Sequence, residues 1–276
     1  MKSHALTLIV TAAFSLAAFT PARAITTFGL TSTGLVQFDT ANPGSLTNSA
    51  TFSGLTGGDV IADIDFRAHD GLLYGMASSG RLYRINPLTG AAVVDTAGSL
   101  GVVQDIDFNP VANRLRVLSA ADQNYRITQG TGLVSTDGIF SFAAADVNVG
   151  ANPNLGSAAY TNSFLGAGST TFFSIDTDLD VLVSHSGAPQ FATLNTVGPL
   201  GVNVGSSVGF DIVMPNNTAF LSNGQDLYTV NLSTGALSSL GMIGGSGVMS
   251  IAVVPEPSST GLGLLAALGC LARRRR

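Results

Sequence analysis

Between residues 25 and 254 the chain alternates short apolar runs with polar turns, and one run recurs. Two large apolar residues are followed by a free position, a further apolar residue and usually a turn residue. The copies are Leu35-Val36-Gln37-Phe38-Asp39, Leu82-Tyr83-Arg84-Ile85-Asn86, Asn124-Tyr125-Arg126-Ile127-Thr128, Phe172-Phe173-Ser174-Ile175-Asp176 and Leu227-Tyr228-Thr229-Val230-Asn231. Three of them lead into turns of one kind, Leu88-Thr89-Gly90, Gly130-Thr131-Gly132 and Ser233-Thr234-Gly235. An apolar stretch such as Ala91 to Val94 then follows. Strand, glycine-containing turn and strand make a hairpin, so each unit predicts one.

A second element precedes some of these hairpins. Asp63-Ile64-Asp65-Phe66 and Asp105-Ile106-Asp107-Phe108 are nearly identical, and Gly209-Phe210-Asp211-Ile212 is their relative. From Asp65, Asp107 and Asp211 it is nine residues each time to Tyr74, Arg116 and Phe220, the cores of the next predicted strands. Ala158-Ala159-Tyr160 is a weaker copy. Ser250-Ile251-Ala252-Val253 is a fifth, with no hairpin after it, while the hairpin near Phe28 has no such element before it. A four-strand unit of roughly 40–55 residues reads as a propeller blade. The orphan strand and the orphan hairpin complete one another. The expectation is an all-β, five-bladed β-propeller over residues 25–254, with strands from both ends closing one blade. A β-sandwich is the alternative, because short strands at regular spacing suit it too.

The repeat residues resemble a bacterial domain family of unknown function. They include Ile64-Asp65-Phe66-Arg67, Leu73-Tyr74-Gly75, Ile85-Asn86-Pro87, Asp107-Phe108-Asn109-Pro110, Arg114-Leu115-Arg116-Val117 and Tyr160-Thr161-Asn162. The resemblance spans most of residues 28–254, supports the repeat reading and brings no activity with it.

Charge narrows the range of partners. Residues 25–254 hold six arginines and no lysine against sixteen aspartates, a formal charge of −10. Such a domain repels phosphate backbones, which argues against nucleic acid as a partner. The single cysteine, Cys270, lies outside this span, so the domain forms no internal disulfide.

The two ends read as addresses. Met1 to Ala24 has a weakly basic start, an apolar run from Ala5 to Phe19 and Ala22-Arg23-Ala24, which predicts a secretory signal peptide cleaved after Ala24. At the other end stand Pro255-Glu256-Pro257, an apolar run from Ser258 to Ala272 and Arg273, Arg274, Arg275 and Arg276. Fifteen helical residues reach about 22 Å against about 30 Å of hydrocarbon, a marginal transmembrane segment. The arginines would hold the terminus on the cytoplasmic side. The order of parts over residues 255–276 resembles the PEP-CTERM sorting signal of exosortase substrates in Gram-negative bacteria that make exopolysaccharide. The resemblance implies export through the inner membrane and a transient C-terminal anchor. Exosortase, an intramembrane cysteine protease, would then process the tail and release the protein to the cell surface or beyond it.

Candidate chemistry is sparse. Gly205-Ser206-Ser207-Val208-Gly209 matches G-x-S-x-G, but a strand follows the serine where a nucleophile elbow needs a helix. His69 and His185 each adjoin a turn signal and read as exposed. Asp176, Asp178 and Asp180 are spaced like the start of a calcium loop, although Val181 and Gly187 stand where that loop needs glycine and glutamate. This leaves a weak calcium candidate beside the plainer reading of an Asp-rich turn, and no other cofactor is expected. Asp63 and Asp65, like Asp105 and Asp107, share a strand face, and their repetition suggests hydrogen bonds between neighbouring blades. Asp65, Asp107, Arg114, Arg116 and Arg126 are the ligand-binding candidates, with the arginines expected to salt-bridge those aspartates or to hold an acidic glycan. The functional expectation is a non-catalytic binding or structural protein linked to exopolysaccharide. The alternative is a secreted hydrolase or lyase using channel aspartates.

Overall fold

The computed structural model describes residues 24–255, apart from 97–99, 101 and 121. The predicted signal peptide (save Ala24) and the sorting segment with its apolar run (save Pro255) lie outside the described residues.

Five sheets make a five-bladed propeller. Blade I takes its inner strand, Ser250–Val253, from the far end of the chain and continues outward through Thr26–Leu30, Gly34–Asp39 and Asn42–Thr51. The expected composite blade is thus present, with Thr27 paired to Val253 and Leu30 to Ser250. Blade II runs Ile61–Phe66, Leu73–Ala77, Leu82–Ile85 and Ala92–Thr96, and blade III runs Val103–Asn109, Arg114–Ser119, Gln123–Thr128 and Leu133–Thr136. Blade IV runs Leu155–Tyr160, Phe172–Asp176, Val181–Ser186 and Thr193–Pro199, with Ser141–Phe142 added in parallel at its rim. Blade V runs Val208–Val213, Thr218–Asn223, Asp226–Val230 and Leu237–Met242.

The nine-residue interval is a pairing register. Asp65 lies opposite Tyr74, Asp107 opposite Arg116 and Asp211 opposite Phe220 across the first hairpin of blades II, III and V. One repeat is displaced from its expected place. Phe172–Asp176 is the second strand of blade IV, whereas Leu82–Ile85, Gln123–Thr128 and Asp226–Val230 are third strands. The second strand is buried throughout and the third strands keep buried residues beside half-buried or exposed ones, so both carry a similar run.

Burial between two blades is the source of the pattern. Each blade presses one face on the preceding blade and the other on the next. In Leu73–Ala77, Leu73 and Ala77 pack toward blade I, while Tyr74 and Met76 join Ile106, Phe108 and Val117 of blade III. Five apolar clusters fill the five gaps between blades, the last joining Val213, Phe220 and Leu227 of blade V to Val36, Phe38 and Ile251 of blade I.

Two of the three recurrent turns share one device. Asn86 Oδ1 accepts hydrogen bonds from the N–H groups of Leu88 and Thr89, and Asn231 Oδ1 accepts one from Ser233. Gly90 and Gly235 then close the turns at φ 72° and 81°, a left-handed conformation that suits glycine.

Gly209, in the inner strand of blade V, tests the closure. A Cβ there would lie 2.4 Å from the Ile251 nitrogen and 2.7 Å from the Ser250 Cα. Both are backbone atoms of the closing strand, which cannot swing aside as a side chain can. Gly209→Ala should therefore lower stability by about 1–3 kcal/mol, the usual cost of overpacking. Gly57→Ala, where nothing lies within 4 Å of the added carbon, should change it by less than about 0.5 kcal/mol. Urea denaturation of the two variants makes the comparison, and equal midpoints would remove the claim that the inner strands are in tight contact.

Candidate functional site: a buried carboxylate column at the propeller axis

The inner strands run side by side around the axis, and each turns two alternate positions toward the next strand. In order from blade I to blade V, one rung is Ser250, Asp63, Asp105, Ser157 and Gly209, and the other is Ala252, Asp65, Asp107, Ala159 and Asp211. The side chains reach the backbone of the following blade. Asp63 Oδ2 accepts from the Ile106 N–H and Asp65 Oδ2 from the Phe108 N–H, both at 2.7 Å. Asp105 and Asp107 do the same for Ala158 and Tyr160. Ser157 Oγ accepts from Phe210 N–H at 2.9 Å while donating to Asp105 Oδ1 at 2.7 Å. Asp211 Oδ2 accepts from the Val253 N–H at 2.6 Å. The expected blade-to-blade hydrogen bonds are therefore made.

All five aspartates are buried. Burial raises each carboxyl above its ordinary range because the charged form loses its hydration. Asp63 is pushed up to about 7 and Asp211 to about 6, chiefly by desolvation. Asp65, Asp105 and Asp107 are raised well above that range, again mainly by desolvation. Neighbouring carboxylates add to the effect: Asp211 on Asp65, Asp63 on Asp105, and Asp65 then Asp211 on Asp107. Oxygens of Asp65, Asp107 and Asp211 converge within 4.8 Å of one another. Blade V lies across the ring from blades II and III, so this convergence sits on the axis. Asp211 was visible in the sequence as the repeat equivalent of Asp65 and Asp107, but that equivalence did not bring it among the expected ligands.

The arginines do not pair with these aspartates. Arg116, only 1% exposed, reaches outward between blades III and IV. Its guanidinium donates to Asp137 Oδ2 (2.8 Å), Asn124 Oδ1, Tyr160 Oη (3.0 Å), the Gln190 carbonyl (2.9 Å) and the Pro189 carbonyl (2.9 Å). Phe172 and Phe191 flank it at 5.8 and 5.7 Å. Arg126, opposite Arg116 in the register, binds both oxygens of Asp137 at 2.6 Å. The expected partner was a channel aspartate, whereas the observed one is Asp137, which lies beyond the rim strand of blade III. Arg114 sits half-buried at the start of its strand, opposite Asn109 and Thr128.

The remaining candidates separate. Asp176 Oδ1 caps its own turn by accepting from the N–H groups of Asp178 and Leu179, at 3.1 and 3.0 Å. Asp178 accepts from Asn154 Nδ2, and Asp180 from the Val204 N–H at 2.8 Å. Asp176 and Asp178 also share Asn154 as a donor, while Asp180 turns to Val204, so the three carboxylates hold loop backbone and side chains in keeping with an Asp-rich turn. Ser207 lies in the loop before Val208–Val213, and the segment after it is a strand, as the pattern required. His69 is half-buried.

His185 departs from its expected exposure. It is buried in the third strand of blade IV, against Phe140 and Phe172. Its Nδ1 lies 2.7 Å from the Phe191 carbonyl and its Nε2 2.7 Å from Ser174 Oγ. The carbonyl can only accept, so Nδ1 carries the proton and Nε2 accepts from the serine hydroxyl. Burial pulls the imidazole down to about 3. The strand runs through Ser186, so His185 is a strand residue on the core-facing side and not part of the turn.

Residues 34–252 match the family model described as "Domain of unknown function (DUF4394)". No curated protein matches the chain. Among solved structures it is similar to a protein of unknown function from Bacteroides thetaiotaomicron VPI-5482, at 12% identity and TM-score 0.50, covering 84% of this chain and 66% of that one. An auxiliary nutrient binding protein from the same organism matches at 11% identity and TM-score 0.50, covering 82% of this chain and 60% of that one. A chain of a nidogen/laminin complex matches at 9% identity and TM-score 0.45, covering 84% of this chain and 98% of that one. The chain thus spans under two thirds of either Bacteroides protein, and the likeness is one of fold.

Two outcomes follow from this polar interior. Arg116→Leu removes five hydrogen bonds, leaving Asn124 Oδ1 and the Pro189 carbonyl without that donor while Asp137 keeps Arg126 and the Gln190 carbonyl keeps Asn124 Nδ2. It should cost about 3–5 kcal/mol in denaturant unfolding. Arg126→Leu, at a partly exposed site, should cost clearly less. The second outcome concerns pH. A carboxyl whose folded pKa is raised contributes stability in full below the unfolded value and loses it as pH rises through the folded value. The stability of the wild type relative to Asp63→Asn, measured in EDTA, should therefore fall as pH rises from about 4 to about 7. His185 has the opposite sign: its neutral form is the folded one, so its contribution fades as pH drops below about 6.5. A stability difference between wild type and Asp63→Asn that stays flat with pH would show that Asp63 is not held protonated.

Proposed function

Since this chain belongs to the DUF4394 family, described as a domain of unknown function, we propose its role from its own residues: a non-catalytic, exported scaffold or binding protein of the cell surface or extracellular matrix. One observation carries this reading. The axial aspartates and Arg116 are engaged in holding blades together. The channel carboxylates accept backbone N–H groups of the next inner strand, and Arg116 spends its guanidinium on five acceptors. Groups tied to the backbone in this way serve architecture, and a propeller so fastened presents its loops and rims as rigid surfaces. The address comes from the sequence. An exported N-terminus and a Pro255-Glu256-Pro257, apolar, Arg-rich tail support delivery by a PEP-CTERM and exosortase route. The ligand class that fits this route is the producer's own exopolysaccharide.

A hydrolase or lyase reading has one observation in its favour: Asp63 and Asp211 titrate at about 7 and about 6, near the range of a general acid or base. Both are nevertheless buried and hydrogen-bonded to backbone or to a neighbour.

The experiment joins address and role. Mass spectrometry of the surface-released protein should find a chain that ends near Pro255 and lacks Arg273–Arg276. That chain should cosediment with exopolysaccharide from the producing cells without shortening it. An intact arginine tail on surface protein would sink the sorting route, absence of cosedimentation would sink the matrix role, and polysaccharide cleavage lost in Asp211→Asn would favour the enzyme.

A further inference from the structure

The axial column raises a question of charge balance. Asp63, Asp65, Asp105, Asp107 and Asp211 are all at most 8% exposed. The ion pairs of the described residues engage Asp59, Asp70, Asp95 and Asp137 instead. An ionised carboxylate buried without compensation is strongly destabilising. The column must therefore be neutralised by protons, by an added cation, or by both.

The two rungs differ in what suffices. In the first rung, Asp63 and Asp105 face each other, with Ser250 and Ser157 at either side. Asp105 Oδ2 is also buried without a partner among the described residues, and a single proton shared with Asp63 can satisfy it. In the second rung three carboxylates meet, and a proton bridges two oxygens, not three. Ala159 and Ala252 complete this rung, and their short side chains leave the axis to the carboxylates. Asp107 Oδ1 is buried there without a hydrogen-bond partner among the described residues, although leaving a buried polar atom unpaired is costly.

The donor set suits a particular kind of ion. The three oxygens lie within 4.8 Å of one another, close enough to share one cation. Carboxylate oxygens are the ligands a hard divalent cation takes, with water completing the shell. Calcium accepts several carboxylates in a flexible geometry, whereas magnesium usually takes one or two in a near-ideal octahedron. We propose that Asp65, Asp107 and Asp211 form a calcium-type divalent cation site on the propeller axis. It joins blades II, III and V, which do not all touch one another directly. The ion supplies the positive charge that the column lacks and accepts the unpaired lone pairs of Asp107. This site is distinct from the Asp176–Asp180 turn, whose carboxylates are taken up by N–H groups of the surrounding loops.

The test is calcium titration of the EDTA-stripped protein by calorimetry, with melting temperature read in parallel. One calcium per chain should bind and raise the melting temperature, and magnesium should act more weakly. Asp107→Asn and Asp211→Asn keep an oxygen for the backbone hydrogen bonds while removing a charge. Each should weaken calcium binding about tenfold or more, while Asp178→Asn should bind like the wild type. Calcium binding that is absent in the wild type, unchanged in both axial variants, or lost in Asp178→Asn would overturn the site. Should an axial variant fail to fold, anomalous diffraction from a wild-type crystal soaked in a lanthanide decides the matter directly. A peak between Asp65, Asp107 and Asp211 upholds the site, and a peak at the Asp176–Asp180 turn alone, or none, removes it.

Discussion

The hydrogen bond from an inner-strand N–H to a side chain of the preceding blade is the contact on which the propeller depends. Inner strands of neighbouring blades belong to different sheets, so no ladder joins them. Their inward N–H groups would be buried without acceptors, at a cost similar to that of any lost hydrogen bond. Asp63, Asp65, Asp105, Asp107, Ser157 and Asp211 supply those acceptors. The link also sets the stagger between blades, because each side chain reaches the residue one beyond its equivalent in the next repeat. Where the backbones crowd, at Gly209, the side chain is absent altogether.

Around this hub the energetics divide by radius. Near the axis the contacts are polar and directional. Further out, five apolar clusters fill the gaps between blades, and their burial supplies the bulk of the cohesion. The gap between blades III and IV is the exception, since Arg116 carries charge deep into an aromatic setting of Tyr160, Phe172 and Phe191. A buried ion pair of this kind adds little net stability over an apolar filling, but removing one partner is costly. Its five acceptors, drawn from both blades, fix the angle at which blade IV meets blade III.

Much of this was legible because the repeat is physical. A strand buried on both faces must be apolar at successive positions, which made the second and third strands visible and also confused them at Phe172–Asp176. The nine-residue interval was a hairpin register in plain view, and the unmatched strand at Ile251 pointed directly to the composite blade. Side-chain partners were harder to see. Nothing in the order of residues joins Arg116 to Asp137, twenty-one positions away, and a turn signal beside His185 says nothing about which way the preceding residue faces. The axial trio lay between these cases: its members sat at equivalent positions, but their meeting depends on ring closure, which brings blade V opposite blades II and III.

The composite blade has a consequence for the order of events in making the protein. Thr26–Leu30 is among the first segments of the domain to be synthesised, and its neighbour Ser250–Val253 is the last. Until those final residues emerge, the early strand keeps one row of backbone groups unpaired, the kind of edge that recruits strands from other chains. The ring therefore cannot mature progressively from its beginning. Blades II to V can gather as each is made, but the circle locks in a single late step, when the last strand slots between Thr26–Leu30 and the aspartates of its neighbours. A chain arrested before residue 250 would be an open arc with two exposed flanks, and its fate would rest on whatever keeps such arcs apart.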